Sequence, residues 1–263
     1  WINLPLDTNS VLFAGVAAAK LQRLNDAANY YSMLIDHRIN KEGFAEIYKW
    51  VANYYYGNKN TAKASHYILL GKEVYPSDPF WTTLEFDVLK EKGNKEELFA
   101  FYEKVIDAEP ANYLYRYNYA VELYQYGHKP DPTDRPVGSD VFIRQAEKQL
   151  AEVIRLLPSF PKAHFFEGQI IYNTGIDLLK KSRHTMAGDE KNDLEENAAQ
   201  KFSDAIPYFL AVEELLGSVA KPDPGELANL KEAYRLLIII YDQLSQKDKS
   251  QEYDAKASVL DND

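Results

Sequence analysis

The chain has 263 residues, 46% of them hydrophobic, enough for one elongated array or two compact domains, which excludes wholesale disorder. Forty acidic residues against 30 basic ones give a formal charge of −10, which argues against nucleic acid as the main ligand because phosphate binding needs a basic footprint. With no cysteine, a disulfide framework, a thiolate metal site and a cysteine nucleophile are excluded.

The chain opens at Trp1 rather than Met, which gives the expectation that a leader segment has been cut away. Together with the lack of cysteine this fits an exported periplasmic or cell-envelope protein, while a cytoplasmic location stays open. The first predicted helical pair carries Ala14, Gly15 and Ala18, then Ala27, Tyr31 and Leu34. The second carries Tyr48, Val51, Ala52 and Tyr55, then Ala64, Ile68 and Gly71, and closes at Pro76. The step that leads from Pro76 to Pro110 also takes Ala52, Tyr55, Ala64 and Ile68 to Phe86, Leu89, Leu98 and Tyr102. The fourth pair has Ala120 and Leu123, then Ala146, Leu150 and Val153. Its closing Pro158 lies beyond the next such step from Pro110, by about 14 residues. The excess is expected as a projecting loop at about 128–141, where Pro130, Pro132 and Pro136 forbid a regular helix.

The fifth pair has Glu167, Gly168 and Ile171, then Ala205, Phe209 and Val212. The interval from Ile171 to Ala205 exceeds the corresponding interval from Tyr55 to Ala64 by about 25 residues. The excess reads as helical continuations, through Ile176, Leu178 and Leu179 on one side and Leu194, Ala198, Ala199 and Phe202 on the other. They make an elongated hairpin at about 162–215, each helix gaining about three turns, on the order of 17 Å. Its turn is expected at 186–189, with Gly188 in the left-handed conformation, and Pro207 is expected to kink the returning helix. The sixth pair runs through Tyr234, Leu237, Ile238 and Tyr241, with a degenerate second helix near Tyr253 and Ala257. The longest apolar run, Leu236 to Tyr241, is far too short to span a bilayer, so direct membrane insertion is not expected.

This register resembles the tetratricopeptide repeat, a helix–turn–helix unit of about 34 residues with small and aromatic residues at these positions. The resemblance covers nearly the whole chain and implies an all-α, right-handed α-solenoid of about six units, forming a single domain over 1–263. It places a loop insertion in the fourth unit and elongated helices in the fifth. Close packing explains the residue types: Gly15, Ala52, Ala120 and Gly168 let paired helices approach, and no repeat can bury its face alone. The elongated unit with Asp-Ala-Ile-Pro-Tyr-Phe is also similar to tetratricopeptide proteins common in the Bacteroidetes, many of them carried to the envelope.

Nothing in the sequence singles out chemistry. His37, His66, His128, His164 and His184 form no i,i+4 pair, and phosphate-loop, zinc-protease, hydrolase-elbow and calcium-loop motifs are missing. The acid-rich run Asp189, Glu190, Asp193, Glu195, Glu196 reads as a solvated helix start favoured by the dipole. No catalytic residue, metal site or cofactor is therefore expected. The resemblance implies a concave groove lined by the first helices, formed by Lys49, Asn53 and Tyr56, by Thr83, Asp87 and Lys90, by Tyr117, Val121 and Tyr124, and by Phe165, Gln169, Tyr172 and Asn173. Rings supply contact area and amides fix the direction of an extended peptide; packing between helices is the competing use of Tyr117, Tyr124, Phe165 and Tyr172. Lys49 and Asn53 stand where clamp-type relatives begin to grip a C-terminal carboxylate, but Leu84, Leu114 and Asn118 occupy the remaining clamp positions, so the clamp is half absent.

The function expected is that of a non-catalytic scaffold binding another protein or a peptide. Binding a small ligand or glycan as a helper of envelope nutrient uptake is the alternative, with the loop and the elongated hairpin building the site. Self-association into a homodimer through the elongated fifth unit, with Leu178 and Leu179 exposed, is a third expectation.

Overall fold

The computed structural model describes residues 7–41, 43–219 and 221–262, so Trp1 and the expectation attached to it lie outside the described residues. Among them twelve α-helices follow one another, with one 3-10 turn and no strand. Two compact units can be distinguished, one ending at Phe101 and the other beginning at Tyr102.

The first unit contains α1 (Thr8–Lys20), α2 (Leu24–Asp36), α3 (Phe44–Gly57), α4 (Thr61–Val74), α5 (Phe80–Lys92) and the start of α6 (Lys95–Ala108). Local chemistry sets the ends. The Asp7 carboxylate accepts from the amides of Asn9 and Ser10 at the head of α1, Asn60 caps α4 through the Lys63 amide, and Gly93 closes α5 in the left-handed conformation at φ +71°. Between the caps, residues at helical spacing bury Leu34, Ile35, Tyr48, Ile68 and Trp81 in a common core. The small residues do what close packing requires: Ala52 is fully buried, and a Cβ on Gly15 would run into the Tyr31 ring.

The second unit begins within α6 and continues with α7 (Tyr113–Gly127), α8 (Ser139–Leu156), α9 (Pro161–His184), α10 (Asp189–Leu216), α11 (Pro224–Gln243) and α12 (Lys247–Asn262). Its core holds Leu123, Leu150, Ile170, Phe202 and Phe209. Gly168 faces the Phe209 ring, which a Cβ would approach to 3.0 Å. α11 starts with a capping box, Asp223 accepting from the Glu226 amide while Glu226 accepts from the Asp223 amide.

The two insertions are where expected, with differences in detail. α9 has 24 residues and α10 has 28, against 13 to 15 in α3 to α7. The turn falls between His184 and Asp189, but Gly188 has φ +150° and ψ −171°, an extended conformation open essentially to glycine, instead of the left-handed helical one. Its place is the head of α10, where an extended residue leads into the helix. Pro207 lies inside α10, and the helix continues through it to Leu216. In the fourth pair, residues 139–141 belong to α8 instead of the loop, because Gly138 at φ +74° turns the chain and Asp140 favours the first helical turn. The loop proper is 128–138, with a 3-10 turn at Pro132–Asp134. The last helix is no remnant: α12 runs for 16 residues and buries Tyr253. Leu178 and Leu179, expected to be exposed, are half-buried against the α9–α10–α11 core.

Candidate functional site

In the first unit, α3 and α5 carry the expected face in open positions. Asn53, Asp87 and Lys90 are exposed and Tyr56 is half-buried. Lys49 is held, its ammonium 2.7 Å from Asp78 and 3.1 Å from Glu46. Those hydrogen bonds, to Asp78 first and then Glu46, raise its pKa above the usual lysine range. A lysine already paired with two carboxylates is a poor starting point for gripping a third. Leu84 is buried, while Leu114 and Asn118 are exposed on α7 of the second unit, so no cation occupies any of these three clamp positions.

In the second unit the expected face is engaged in packing. Tyr124 is 8% exposed, stacks on His128 with ring centroids 4.8 Å apart, and meets Phe166 edge-on. Its hydroxyl accepts a 2.8 Å hydrogen bond from the Asn173 amide, and burial pushes its pKa up to about 12. Tyr117 packs edge-on against Phe160, Phe165 against Phe209, and Tyr172 at a tilt on Phe202. These four rings bridge neighbouring helices. Val121, Phe165, Gln169, Tyr172 and Asn173 all remain half-buried, so part of the face still meets solvent.

The loop 128–138 lies against this same unit. Arg135 makes a two-pronged contact with Asp177 of α9, at 3.0 Å and 2.8 Å, and its Nε donates to the Lys129 carbonyl at 2.9 Å. His128 Nε2 is 3.5 Å from the same carboxylate, and Lys180 Nζ donates to the Pro130 carbonyl at 3.3 Å. Burial alone would raise the Asp177 carboxyl. The close contact with His128 and the hydrogen bond from Arg135, reinforced by the Arg135 charge, outweigh it and hold the group at about 2. Asp177 is one helical turn beyond Asn173, so the loop is latched to α9 where the expected face ends. The signal available in the sequence is one arginine among three prolines; its partner lies far along the chain, in the following pair of helices.

A second buried carboxyl lies on the first turns of α9. Glu167 is 7% exposed, its Oε2 has no hydrogen-bond partner among the described residues, and burial, followed by the nearby Glu147, pushes its pKa up to about 8. Burial also raises Glu147 on α8, opposed by Lys201 and Arg144. The acid-rich run opens α10 with Asp189 and Glu190 in its first turn, exposed as a solvated helix start would be. Among the described residues no three histidine or acidic side chains converge as metal ligands, and no helix is long and apolar enough to cross a membrane.

No protein-family model matches the sequence, and no curated protein matches it. Among solved structures, a tetratricopeptide-repeat protein from Bacteroides fragilis is similar over 88% of this chain and 100% of its own, with a TM-score of 0.56 and 16% identity. At that identity the likeness concerns the fold alone. Human IFIT1, in complexes with PPP-AAAA and with m7Gppp-AAAA, aligns at 13% and 14% identity. Those alignments cover 97% and 90% of this chain and 70% and 63% of IFIT1, with TM-scores of 0.35 and 0.37, too low to carry an argument. The paired helices and the bacterial neighbour define the fold class: an all-α helical-repeat chain whose fold is similar to that of a tetratricopeptide-repeat protein.

Proposed function

We propose that this chain is a non-catalytic scaffold that holds a segment of another protein on the faces of its first helices. The observation that carries the reading is the set of surface residues repeated on those helices. It comprises Asn53 and Tyr56 on α3, Asp87 and Lys90 on α5, Val121 on α7, and Gln169 and Tyr172 on α9, each exposed or half-buried. Such a mixture of rings, amides and single charges suits a peptide whose affinity sits in a few anchors. The charge of −10 supports a protein partner over nucleic acid, and a gel-shift assay with single-stranded RNA should show no complex at physiological salt. Residues 1–263 are taken to act as one domain, for which a single urea transition is expected and two separated transitions count against it. A place in the cell envelope is part of the proposal, and the lack of cysteine fits it. Self-association through the elongated α9–α10 hairpin, where Leu178 and Leu179 are half-buried, is a further part of the proposal, and purely monomeric sedimentation in concentrated solution counts against it.

The test is capture from envelope and cytosolic fractions of the source organism, comparing the native chain with Asn53→Ala/Tyr56→Ala and Val121→Ser/Gln169→Ala variants that keep the native circular dichroism. One protein retained by the native chain and lost by either variant supports the reading and places the face. Equal capture by all three proteins rules out these faces.

A further inference from the structure

Six primary amides line two adjoining clefts in the first unit: Gln22, Asn25, Asn29, Asn53, Asn58 and Asn60. The clefts have volumes of about 300 and 420 Å³ and share Asn25, Tyr54 and Asn58, so they form one continuous depression between α2, the end of α3 and the head of α4. Asn58 and Asn60 close α3 and cap α4, and Asn25 is bonded to Tyr54, but Gln22, Asn29 and Asn53 have no such local role. Asparagine is a poor helix former, yet Asn25 and Asn29 occupy α2 one turn apart and Asn53 lies on α3.

Most of their hydrogen-bonding capacity is turned outward. Asn25 accepts through its oxygen from the Tyr54 hydroxyl, which leaves its amino group uncommitted. Asn58 donates to the Tyr54 carbonyl at 2.7 Å and keeps its oxygen. Asn60 accepts from the Lys63 amide at 3.0 Å as the cap of α4 and keeps its amino group. Gln22, Asn29 and Asn53 are exposed and make no side-chain hydrogen bond among the described residues. The wall is rigid, because Tyr54 stacks on Trp50 with centroids 5.3 Å apart and planes 7° from parallel, and Tyr55 stacks on Tyr67.

The donor and acceptor pattern selects the ligand. An anion would need cations, and among the described lining residues Lys63 is the single charge, already seated 4.7 Å over the Tyr55 ring. A cation would need carboxylates, and none is among the described lining residues. A peptide takes most of its affinity from apolar anchors; of the apolar lining Ala28 is buried, the Tyr54 and Tyr55 rings are stacked on Trp50 and Tyr67, and only Leu24 is open. A primary amide presents donors and an acceptor side by side in one plane, the complement of a pair of neighbouring hydroxyls, each of which both donates and accepts. We infer that this depression is a binding site for a neutral, hydroxyl-rich ligand of the saccharide class. It shares Asn53 with the scaffold face of the first unit, is separate from the faces of the second, and uses neither the 128–138 loop nor the elongated α9–α10 hairpin.

The experiment is titration of the full chain with maltohexaose, xylohexaose and chitohexaose in turn, followed by calorimetry and by amide chemical shifts. The variant is Asn29→Ala/Asn53→Ala, whose side chains make no protein hydrogen bond and whose loss leaves the fold intact; Glu96→Ala, exposed on α6, is the control outside the depression and outside the scaffold faces. At least one saccharide is expected to bind, shifting amides in 22–29 and 53–63, with affinity reduced tenfold or more in the double variant and unchanged in the control. No binding by any of the three at millimolar concentration, or equal binding by the double variant, overturns the inference. Binding of a neutral Gly-Ser-Ala peptide with the same loss, in the absence of saccharide binding, overturns it too and gives the site to a polypeptide main chain. Capture of the protein partner through Val121 and Gln169 is read separately, so either proposal can fail alone.

Discussion

The faces of α3 and α5 and those of α7 and α9 occupy the same places in the sequence register but are put to different uses. On α3 and α5 the side chains are polar and open, with Asn53, Asp87 and Lys90 all at the surface. On α7 and α9 the equivalent positions carry rings that bridge helices, and the loop 128–138 is tied down beside them by Arg135 and Asp177. The lesson is that a repeat register tells which side of a helix a residue occupies, while depth is decided by what the neighbouring helix brings to it. A tyrosine opposite a phenylalanine becomes core; an asparagine opposite a short loop stays wet.

The sharpest way to break this contrast is to remove a ring from the packed face. Tyr124→Ala deletes the contacts with His128 and Phe166 and the hydrogen bond from Asn173, and is expected to cost about 3–4 kcal/mol in urea denaturation. A cost under about 1 kcal/mol would place Tyr124 among surface residues and erase the difference between the faces. The next effect has the opposite sign. Glu167 has its carboxyl pKa raised on folding, so its contribution favours the native state below the ordinary carboxyl range and is lost as pH rises from about 4.5 towards 8. Glu167→Gln should therefore stabilise the chain by roughly 3 kcal/mol at pH 7 and change little at pH 4, which thermal melts at the two pH values will read.

The latch gives a smaller, acid-dependent effect. Asp177 has its pKa lowered to about 2, so its stabilisation is complete above the unfolded value near 3.8 and is lost as pH falls from about 4 to 2. The native chain should lose about 2 kcal/mol across that window relative to Asp177→Asn, which has already lost the ion pair. Parallel acid profiles for the two proteins would show that the loop is not held by this contact. Smallest of all is Asn53→Ala on the open face, expected within about 0.5 kcal/mol of the native chain in the same urea assay. A larger loss would mean that this face, too, is structural.

Much of the fold was legible because small residues at fixed spacing leave a strong signature. Ala52, Ala120 and Ala205, each placed by register alone, are all fully buried, and both insertions fall in the pairs where the spacing lengthens. The candidate site was far less legible. Tyr117 and Tyr124 have the spacing of groove residues, and nothing local reveals that Phe160 and Phe166 will cover them. The Arg135–Asp177 contact joins a loop to a helix in the next pair, which no periodicity encodes. The amide cluster draws on α2 and α3 together, so its members look like ordinary surface asparagines until the two helices are side by side.

The loop that Arg135 secures has one more property, which concerns proteolysis. An exposed connection of this length is an ordinary target for nicking, and this one offers two basic residues, Lys129 and Arg135. Each is followed directly by proline, Pro130 and Pro136, a partner that trypsin-like enzymes do not accept on the far side of the scissile bond. Arg135 is in addition drawn away from solvent, its side chain only 13% exposed in its grip on Asp177. Held against α9, the connection thus offers trypsin-like enzymes no ready cut, and the fourth helical pair stays in one piece.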